Sequence, residues 1–146
     1  MFFDDLPVGY RFTTEARTLP LAEIVGFARR WDPQPFHTDP EAATASPYGG
    51  IIASGFHTIL TAFVQTLEAD VWNEASMGSP GMDEVRWLKP VHPGDTLQTA
   101  AEVMDSTPSQ SRPDRGRTTI QYRVYNQHGD EVASYRATHI LRRKPS

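Results

Sequence analysis

A carboxylate and an imidazole lie five residues apart in the stretch 32–50, which reads DPQPFHTDPEAATASPYGG. Three prolines within its first nine residues stiffen the backbone and restrict the directions in which the side chains point. Asp32 and His37 can hold one water molecule between them and divide the proton transfers to and from it. This pair of residues therefore suits acid–base chemistry on a bound water molecule, and the addition of water to the double bond of an unsaturated thioester is one reaction of that kind.

Such a reaction also needs a site for the negative charge that builds up on the thioester oxygen. A long helix is predicted to begin near Ser54, and the first N–H groups of a helix are unpaired and carry partial positive charge. The backbone N–H of Gly55 can therefore face that oxygen as a preorganised donor. A glycine at this position would also permit close approach of the substrate carbonyl.

Each of these three residues also has a purely structural interpretation. Asp32 precedes a proline, and such a residue commonly ends a helix. His37 could be a buried histidine with satisfied hydrogen bonds, and Gly55 could simply ease the entry of the chain into the helix. The spacing alone leaves these alternatives open.

Two further polar residues nearby are assigned structural roles. Asp39 is expected to cap a short helix that begins at Pro40, and His57 is expected to pack against the preceding loop. A metal site made of His37, Asp39 and His57 is not predicted, because their spacing matches no familiar ligand pattern.

Two long helices are predicted to flank the polar stretch. The first has Thr18 or Leu19 as its cap and ends at Trp31, since Ile24, Phe27, Ala28 and Trp31 recur at helical spacing. The second covers 54–69 with Ser54 as its cap. Its apolar stripe is assigned to the core and consists of Phe56, Ile59, Leu60, Phe63, Val64 and Leu67.

The remaining chain is predicted to form strands. They are expected at 9–18, 82–88, 95–105, 118–126 and 131–141, with a loop at 106–116. Ile120, Tyr122 and Val124 are expected to share one face. The pattern predicts an α+β fold in which a five-stranded antiparallel sheet wraps around one buried helix. Its open edges would favour pairing between subunits.

The composition limits the classes of function. The 146 residues fit a single domain, 1–146, and a net charge of -4 argues against nucleic acid as the main partner. There are no cysteines, which excludes disulfides, thiolate metal sites and a cysteine nucleophile. The sequence shows neither a signal peptide nor an apolar run long enough to span a membrane, so a cytoplasmic protein is expected.

Two blocks of the sequence resemble a known family. The run DPQPFHTDPEAA followed by GGIIASGFHT resembles the MaoC-like dehydratases, which include the (R)-specific enoyl-CoA hydratases, and the run DEVRWLKPVHPGDTL at 83–97 is similar to a later block of the same family. The resemblance implies a hot-dog fold, a homodimer or dimer of dimers, Asp32 and His37 as the catalytic pair, and the Gly55 N–H as oxyanion donor. It also implies a tunnel for the CoA arm near a subunit boundary.

The chain departs from the better-known members of that family at three positions. Gln34 replaces an asparagine and can still donate and accept hydrogen bonds. Ser54 replaces a histidine of some relatives, which would change the surroundings of the oxyanion. Phe63 stands near a position where some hydratases have a serine, and its bulk would shorten the acyl pocket. These three residues are the predicted substrate contacts.

Two other functions compete with hydration. A hot-dog acyl-CoA thioesterase commonly has a carboxylate on the central helix, whereas the first acidic residue of this helix is Glu68, near its far end. A non-catalytic acyl-binding partner subunit would be expected to have lost the pair that Asp32 and His37 form. The sequence therefore favours addition to a double bond.

The predicted ligand is an acyl-CoA or an acyl-carrier protein, and the reaction requires neither a metal nor another cofactor. No glycine-rich dinucleotide motif occurs in the chain. Candidate phosphate contacts are basic residues that could equally be solvated surface charges: Arg86, Lys89, Arg112, Arg115 and Arg117. The loop 106–116 could close over the CoA arm.

Overall fold

The computed structural model describes residues 1–145. Its helices are α1 (Leu21–Trp31), α2 (Pro35–Thr38), α3 (Pro40–Thr44) and α4 (Gly55–Ala69), with 3₁₀ turns at Phe3–Asp5 and Asn73–Ala75. Its strands are β1 (Arg11–Thr13), β2 (Arg17–Thr18), β3 (Gly81–Trp87), β4 (Thr96–Pro108), β5 (Arg115–Tyr125) and β6 (Glu131–Arg142). The short helix predicted to begin at Pro40 is present as α3, and the stretch 32–50 also contains α2, which was not predicted.

The strands form an antiparallel sheet in the order β1-β4-β5-β6-β3, with β2 also paired to β4. The predicted antiparallel α+β architecture is therefore confirmed. The single first strand predicted at 9–18 is wrong, because the chain there forms two short strands. Between them the carbonyl of Thr14 accepts from the Gln98 side chain and that of Glu15 accepts from the Gln65 side chain. Side-chain donors thus replace part of the backbone ladder.

The predicted loop 106–116 is shorter than expected. Backbone pairing between β4 and β5 continues through Ser106 with Thr118 and reaches Pro108 with Gly116. Only residues 109–114 connect the two strands. The polar composition of this segment therefore belongs to a long hairpin, in which exposed strand ends need no apolar side chains.

The sheet face toward α4 carries the predicted core residues Ile120, Tyr122 and Val124, and all three are buried. The cap of α1 differs from its prediction, because Pro20 occupies that position without a side-chain hydrogen bond. A proline that begins a helix loses no intrahelical hydrogen bond, so the helix can start there without a polar cap.

The side of α4 that is buried in this chain is not the one the apolar stripe predicted. Phe56 is 64% exposed, and Leu60, Phe63 and Val64 also face outward, while Ile59 and Leu67 pack partly against the core. The buried side consists of small or polar residues: His57, Thr58, Thr61, Ala62, Gln65 and Thr66. The assignment of the whole stripe to the core is therefore wrong for a single chain.

Hydrogen bonds explain why the polar side of α4 can be buried. The Gln65 amide donates to the Leu97 carbonyl at 2.8 Å and accepts from the Thr99 hydroxyl at 2.9 Å. The Thr61 hydroxyl donates to the His57 carbonyl within the helix. Buried polar groups with such partners cost little, and short side chains let α4 approach the sheet closely.

Two buried histidines predict that the fold loses stability in acid. Burial lowers the pKa of His139 to about 4 and also lowers the pKa of His57, while an exposed histidine titrates near 6.5. The unfolded chain then binds more protons than the folded chain as the pH falls from about 6.5 to about 4. The His139 contribution to this loss is about 3 kcal/mol.

Urea unfolding at several pH values between 7 and 4 checks this expectation. The free energy of unfolding should fall through that window, and His139→Gln should make the fall shallower because glutamine does not titrate. An unchanged slope in His139→Gln would show that His139 is not the group responsible.

Candidate active site

The side chain of Asp32 lies where α1 ends and is held by two hydrogen bonds. Its backbone N–H closes α1 on the Ala28 carbonyl. One carboxylate oxygen accepts from the Ser54 hydroxyl at 2.7 Å, and the other accepts from the Gln34 amide at 2.7 Å. The helix end and these two donors fix the direction of the carboxylate. Asp32 can therefore end α1 and also take part in chemistry.

The surroundings of Asp32 keep its carboxylate ionised. Partial burial by itself would raise its pKa, but the hydrogen bonds from Gln34 and Ser54, together with the charge of a protonated His37, outweigh it and lower the pKa. Asp32 is therefore ionised at neutral pH and accepts hydrogen bonds.

The ring of His37 lies on α2 and is buried. Its Nδ1 lies 2.7 Å from the Ile52 carbonyl oxygen, which can only accept, so Nδ1 holds the hydrogen and Nε2 keeps a lone pair. The Ile52 N–H in turn donates to the Phe36 carbonyl. These contacts fix both the tautomer and the orientation of the ring.

The free Nε2 of His37 lies 3.3 Å from the nearer carboxylate oxygen of Asp32. Both atoms are acceptors when His37 is neutral, so this contact lacks a hydrogen to share. A water molecule that donates one hydrogen to each atom would satisfy both. The structure thus brings the two predicted residues together in a geometry that can hold and deprotonate water.

Ser54 does not have the capping role expected of it. It stands at the position before α4, but its side chain makes no hydrogen bond to the helix backbone because its hydroxyl is bonded to Asp32. The first N–H groups of α4, beginning with that of Gly55, are therefore left for another acceptor. A serine at this position commonly accepts a hydrogen bond from the first turn of the helix, but Ser54 does not.

The Trp87 indole covers Gly55, and the sequence patterns did not single it out. A methyl group added at Gly55 would overlap the indole ring, so only glycine fits beneath it. Trp87 ends β3, is half exposed, and packs edge-to-face against Phe56. In the sequence, Trp87 belongs to the second family-like block, where a large aromatic residue precedes the turn KPVHPGD. That position is the feature from which its role could have been suspected.

The second family-like block, residues 83–97, also fixes the position of the chain that leads into α4. The Val91 carbonyl accepts from the Ala53 N–H at 2.8 Å, which fixes the chain immediately before Ser54. Asp32, His37 and Gly55 all line one cavity of about 360 Å³. The rest of its wall is formed by Gln34, Phe36, Tyr48, Ile52, Ala53, Phe56, Thr58, Trp87, Leu88, Lys89, Pro90 and Val91.

Several other predicted residues lie elsewhere or have structural contacts. Asp39 caps α3, and its side chain accepts from the Glu41 N–H as expected. His57 stacks on Phe27 of α1 at 4.5 Å between ring centroids, so its expected packing against the preceding loop is wrong. Phe63 is not part of the wall around Asp32 and instead lines a second cavity.

Among the five candidate phosphate contacts, Lys89 lines the cavity around Asp32. It also lies 3.4 Å from the Asp130 carboxylate. Arg86 and Arg115 pair with Glu84 and Asp114. Over residues 1–145 the structure contains no helix long and apolar enough to cross a membrane and no cluster of three potential metal ligands among His, Asp and Glu.

The antiparallel sheet curved around α4 is a hot-dog fold, shared with solved structures of dehydratases and hydratases. The chain belongs to the family of the MaoC like domain, whose model matches residues 7–128. A MaoC-like dehydratase from Rhodospirillum rubrum is 37% identical, with a TM-score of 0.93 over 100% of this chain and 99% of that chain.

Two further relatives extend the comparison. The uncharacterised protein YdeM of Bacillus subtilis strain 168 is 33% identical over 127 residues, which are 87% of this chain and 89% of that protein. The R-hydratase PhaJ1 of Pseudomonas aeruginosa is 23% identical and has a TM-score of 0.75, over 99% of this chain and 91% of that chain. The likeness to PhaJ1 shows that the two proteins share a fold.

Replacing Ser54 with alanine should shift the acidic limb of the activity profile upward in pH. The change removes one of the hydrogen bonds that lower the pKa of Asp32, and a hydrogen bond to a charged group contributes about 1.5–3 kcal/mol, or about one pH unit or more. The measurement is kcat/KM against pH for enoyl thioester hydration. Ser46→Ala is the control, because that hydroxyl bonds only backbone groups. An unshifted limb would show that Ser54 does not tune Asp32.

Proposed function

We propose that this protein adds water reversibly to the double bond of an enoyl thioester, with Asp32 and His37 as its acid–base pair. The observation that carries the proposal is the free Nε2 of His37 at 3.3 Å from an ionised Asp32, in the same cavity as the uncapped start of α4. The dehydratase and hydratase names of the structural relatives support the same class of reaction.

Water bound to this pair would donate one hydrogen to Asp32 and the other to His37. As the water oxygen bonds to the β-carbon of the enoyl group, its proton passes to Nε2 of His37, and the electron pair of the double bond moves toward the thioester oxygen. The imidazolium formed is stabilised by the adjacent carboxylate. It then delivers the proton to the α-carbon, which completes the addition.

The thioester oxygen gains negative charge in this step. The N–H of Gly55 at the start of α4 is the proposed donor, and the partial positive charge of the helix end adds to its effect. Gln34 is proposed to hold Asp32 rather than to contact the acyl group. Lys89, at the wall of the cavity, is the proposed contact for a phosphate of the CoA arm.

The contrast with a thioesterase rests on the position of carboxylates. Glu68 is exposed and does not line the cavity, so this stretch of α4 offers no carboxylate to attack the thioester carbon. Asp32 lies instead beside the His37 imidazole, in the part of the chain that precedes α4.

The test uses the purified protein alone with crotonyl-CoA. Loss of the absorbance of the conjugated enoyl thioester without release of free thiol is expected. Release of free thiol at the same rate would favour the thioesterase, and no reaction over a panel of straight, branched and carboxylated enoyl-CoAs would favour a non-catalytic subunit.

We also propose that two copies of the chain associate through the outward face of α4 and the edge strand β3. The exposed side chains of α4 are apolar, and β3 forms one edge of the sheet with Met82, Trp87 and the following Leu88 exposed. An apolar patch beside an open strand edge is typical of a surface that a second subunit covers.

Sedimentation analysis should therefore find a dimer that Val64→Glu weakens by at least about tenfold, because the substitution places a charge in an apolar contact. Leu21→Glu is the control, since Leu21 is a comparably exposed apolar residue on α1. A monomeric wild type, or equal effects of both variants, would contradict this mode of association.

A further inference from the structure

The buried side of α4 carries three threonines, and one of them differs from the other two in its hydrogen bonds. The Thr61 hydroxyl donates to the His57 carbonyl at 2.8 Å, and the Thr66 hydroxyl donates to the Phe63 carbonyl at 2.7 Å. A threonine within a helix commonly bonds a carbonyl of the preceding turn in this way. The Thr58 hydroxyl does not, and no other group of residues 1–145 forms a hydrogen bond with it.

This hydroxyl lies at the wall of the Asp32 cavity, the cavity of about 360 Å³ that Asp32, His37 and Gly55 line. Thr58 lines the same cavity and is 2% exposed. Its oxygen is not fully enclosed, whereas the oxygen of Thr118 is enclosed and has no partner. The Thr58 hydroxyl is therefore a hydrogen-bond donor that a molecule inside the cavity can satisfy.

Helix geometry directs the Thr58 hydroxyl toward Asp32. The Thr58 backbone N–H donates to the Ser54 carbonyl, so the two residues lie one turn apart on one side of the helix, with about 5–6 Å between their Cβ atoms. Helical side chains lean toward the N-terminus, which brings the Thr58 side chain toward Ser54. The Ser54 hydroxyl in turn donates to the Asp32 carboxylate at 2.7 Å. This arrangement suits one water molecule that bridges Thr58 and Asp32.

The acid–base pair supplies only acceptors to a bound water molecule. Asp32 is ionised and Nε2 of His37 carries a lone pair, so the water would direct both of its hydrogens at them. Its oxygen then has two lone pairs without a donor. A donor at one lone pair fixes the rotation of the water and leaves the other for the β-carbon of the enoyl group. The free hydroxyl of Thr58, buried beside the pair, suits this place.

We propose that the Thr58 hydroxyl is a third contact of the reacting water and donates a hydrogen bond to its oxygen. Thr58 neither gains nor loses a proton in the reaction. It holds the oxygen while His37 takes one proton, and after the addition it bonds the new hydroxyl on the β-carbon of the product. This inference rests on the proposed function, because it assigns Thr58 to the same reaction.

Thr58→Val tests this contact, because valine keeps the shape of threonine and removes the hydroxyl. The variant should lower kcat for hydration of crotonyl-CoA by about tenfold, the effect of one hydrogen bond lost in the transition state. KM should stay within about twofold, because the thioester itself loses no contact. Thr58→Ser keeps the hydroxyl and should retain kcat within about threefold of the wild type. An unchanged kcat in Thr58→Val, or equal losses in both variants, would contradict the assignment.

Thr61→Val is the matched control. Thr61 is also buried on α4, but it lies outside the Asp32 cavity and its hydroxyl bonds the His57 carbonyl. The substitution should leave kcat within about twofold of the wild type. A loss as large as that of Thr58→Val would mean that any hydroxyl removed from this side of α4 impairs hydration, and the specific role of Thr58 would be refuted.

A binding experiment reports on the same contact without turnover. Calorimetric titration compares each enantiomer of 3-hydroxybutyryl-CoA with butyryl-CoA, which lacks the hydroxyl. Asp32→Asn serves as the background, because it slows dehydration of the hydroxy ligand during the titration. Adding Thr58→Val should reduce the preference for the hydroxy ligand by about fivefold and leave the affinity for butyryl-CoA unchanged.

Failure of this inference and failure of the proposed function give different results. Hydration by the wild type and by Thr58→Val at the same kcat, with an unchanged preference in binding, would overturn the role of Thr58 and keep the reaction. A wild type that hydrates none of the enoyl-CoAs, with a preference for the hydroxy ligand that depends on Thr58, would refute the reaction and keep Thr58 as a contact of the ligand oxygen.

Thermal unfolding tests the premise that the hydroxyl is unpaired in the free protein. Thr58→Val should leave the Tm unchanged or raise it, because no hydrogen bond within the protein is lost. A Tm lowered by several degrees would mean that the hydroxyl already has a partner, and the reason for assigning it to the water would disappear.

Discussion

Asp32→Asn and His37→Gln are each expected to lower kcat/KM for enoyl thioester hydration by at least about a hundredfold. Asparagine keeps the shape of Asp32 but removes the charge that stabilises an imidazolium 3.3 Å away. Glutamine at position 37 can still reach a hydrogen-bond partner but cannot exchange protons near neutral pH. Both variants therefore keep most contacts of the site and remove its chemistry.

The controls for these variants test whether the loss is chemical. Asp39→Asn changes a carboxylate only seven residues along the chain that caps α3, and it should retain activity within a few fold. The double variant should be little worse than the worse single one, because two groups that move one proton act as a unit. Variants of Asp32 and His37 that match the wild type would refute the site assignment.

Gly55→Ala is expected to reduce hydration by about a hundredfold, because a shift of the start of α4 would move the backbone N–H away from the thioester oxygen and so lose the effect of one oxyanion donor. The added methyl group would overlap the Trp87 indole, so either the ring or the start of α4 must move. Gly26→Ala is the matched control. Gly26 is also helical but has open space around it, and alanine there should stabilise α1 by about 1 kcal/mol without loss of activity.

Adding Trp87→Ala to Gly55→Ala tests whether the loss of activity comes from the overlap between the new methyl group and the indole. If the methyl group acts by pushing against the indole, Trp87→Ala combined with Gly55→Ala should recover part of the activity relative to Gly55→Ala alone. The kinetics of both variants with crotonyl-CoA provide the measurement. Full activity in Gly55→Ala would show that the start of α4 does not contact the reacting thioester.

Much of the fold follows from patterns that have a direct physical cause. The helical spacing of Ile24 and Ala28 and the alternation of Ile120, Tyr122 and Val124 place buried residues correctly, because a single periodicity defines the inward face. Trp31, predicted to lie on the same face of α1, is 64% exposed, so that part of the prediction is wrong at the end of the helix. Helix α4 is different. Its apolar side is outward and its Thr and Gln side is inward, since polar side chains with good partners can be buried against a sheet.

Asp32, His37 and Gly55 were expected from the sequence to act together and they line one cavity, but their contacts were not predicted. The spacing of Asp32 and His37 could be read from the chain, whereas the bond from Ser54 to Asp32 joins residues 22 positions apart and depends on the fold. The contact between Trp87 and Gly55 is likewise non-local. The unpaired hydroxyl of Thr58 cannot be inferred from sequence, because a helical threonine commonly bonds a carbonyl of the preceding turn.

The most direct test of the proposed reaction is mass spectrometry of the thioester after incubation of crotonyl-CoA with the wild type and with the Asp32→Asn, His37→Gln double variant. The proposed reaction predicts an intact CoA thioester that has gained one molecule of water, formed by the wild type and greatly reduced in the double variant. Free CoA and crotonic acid as the main products would contradict it, and so would equal hydration by both proteins.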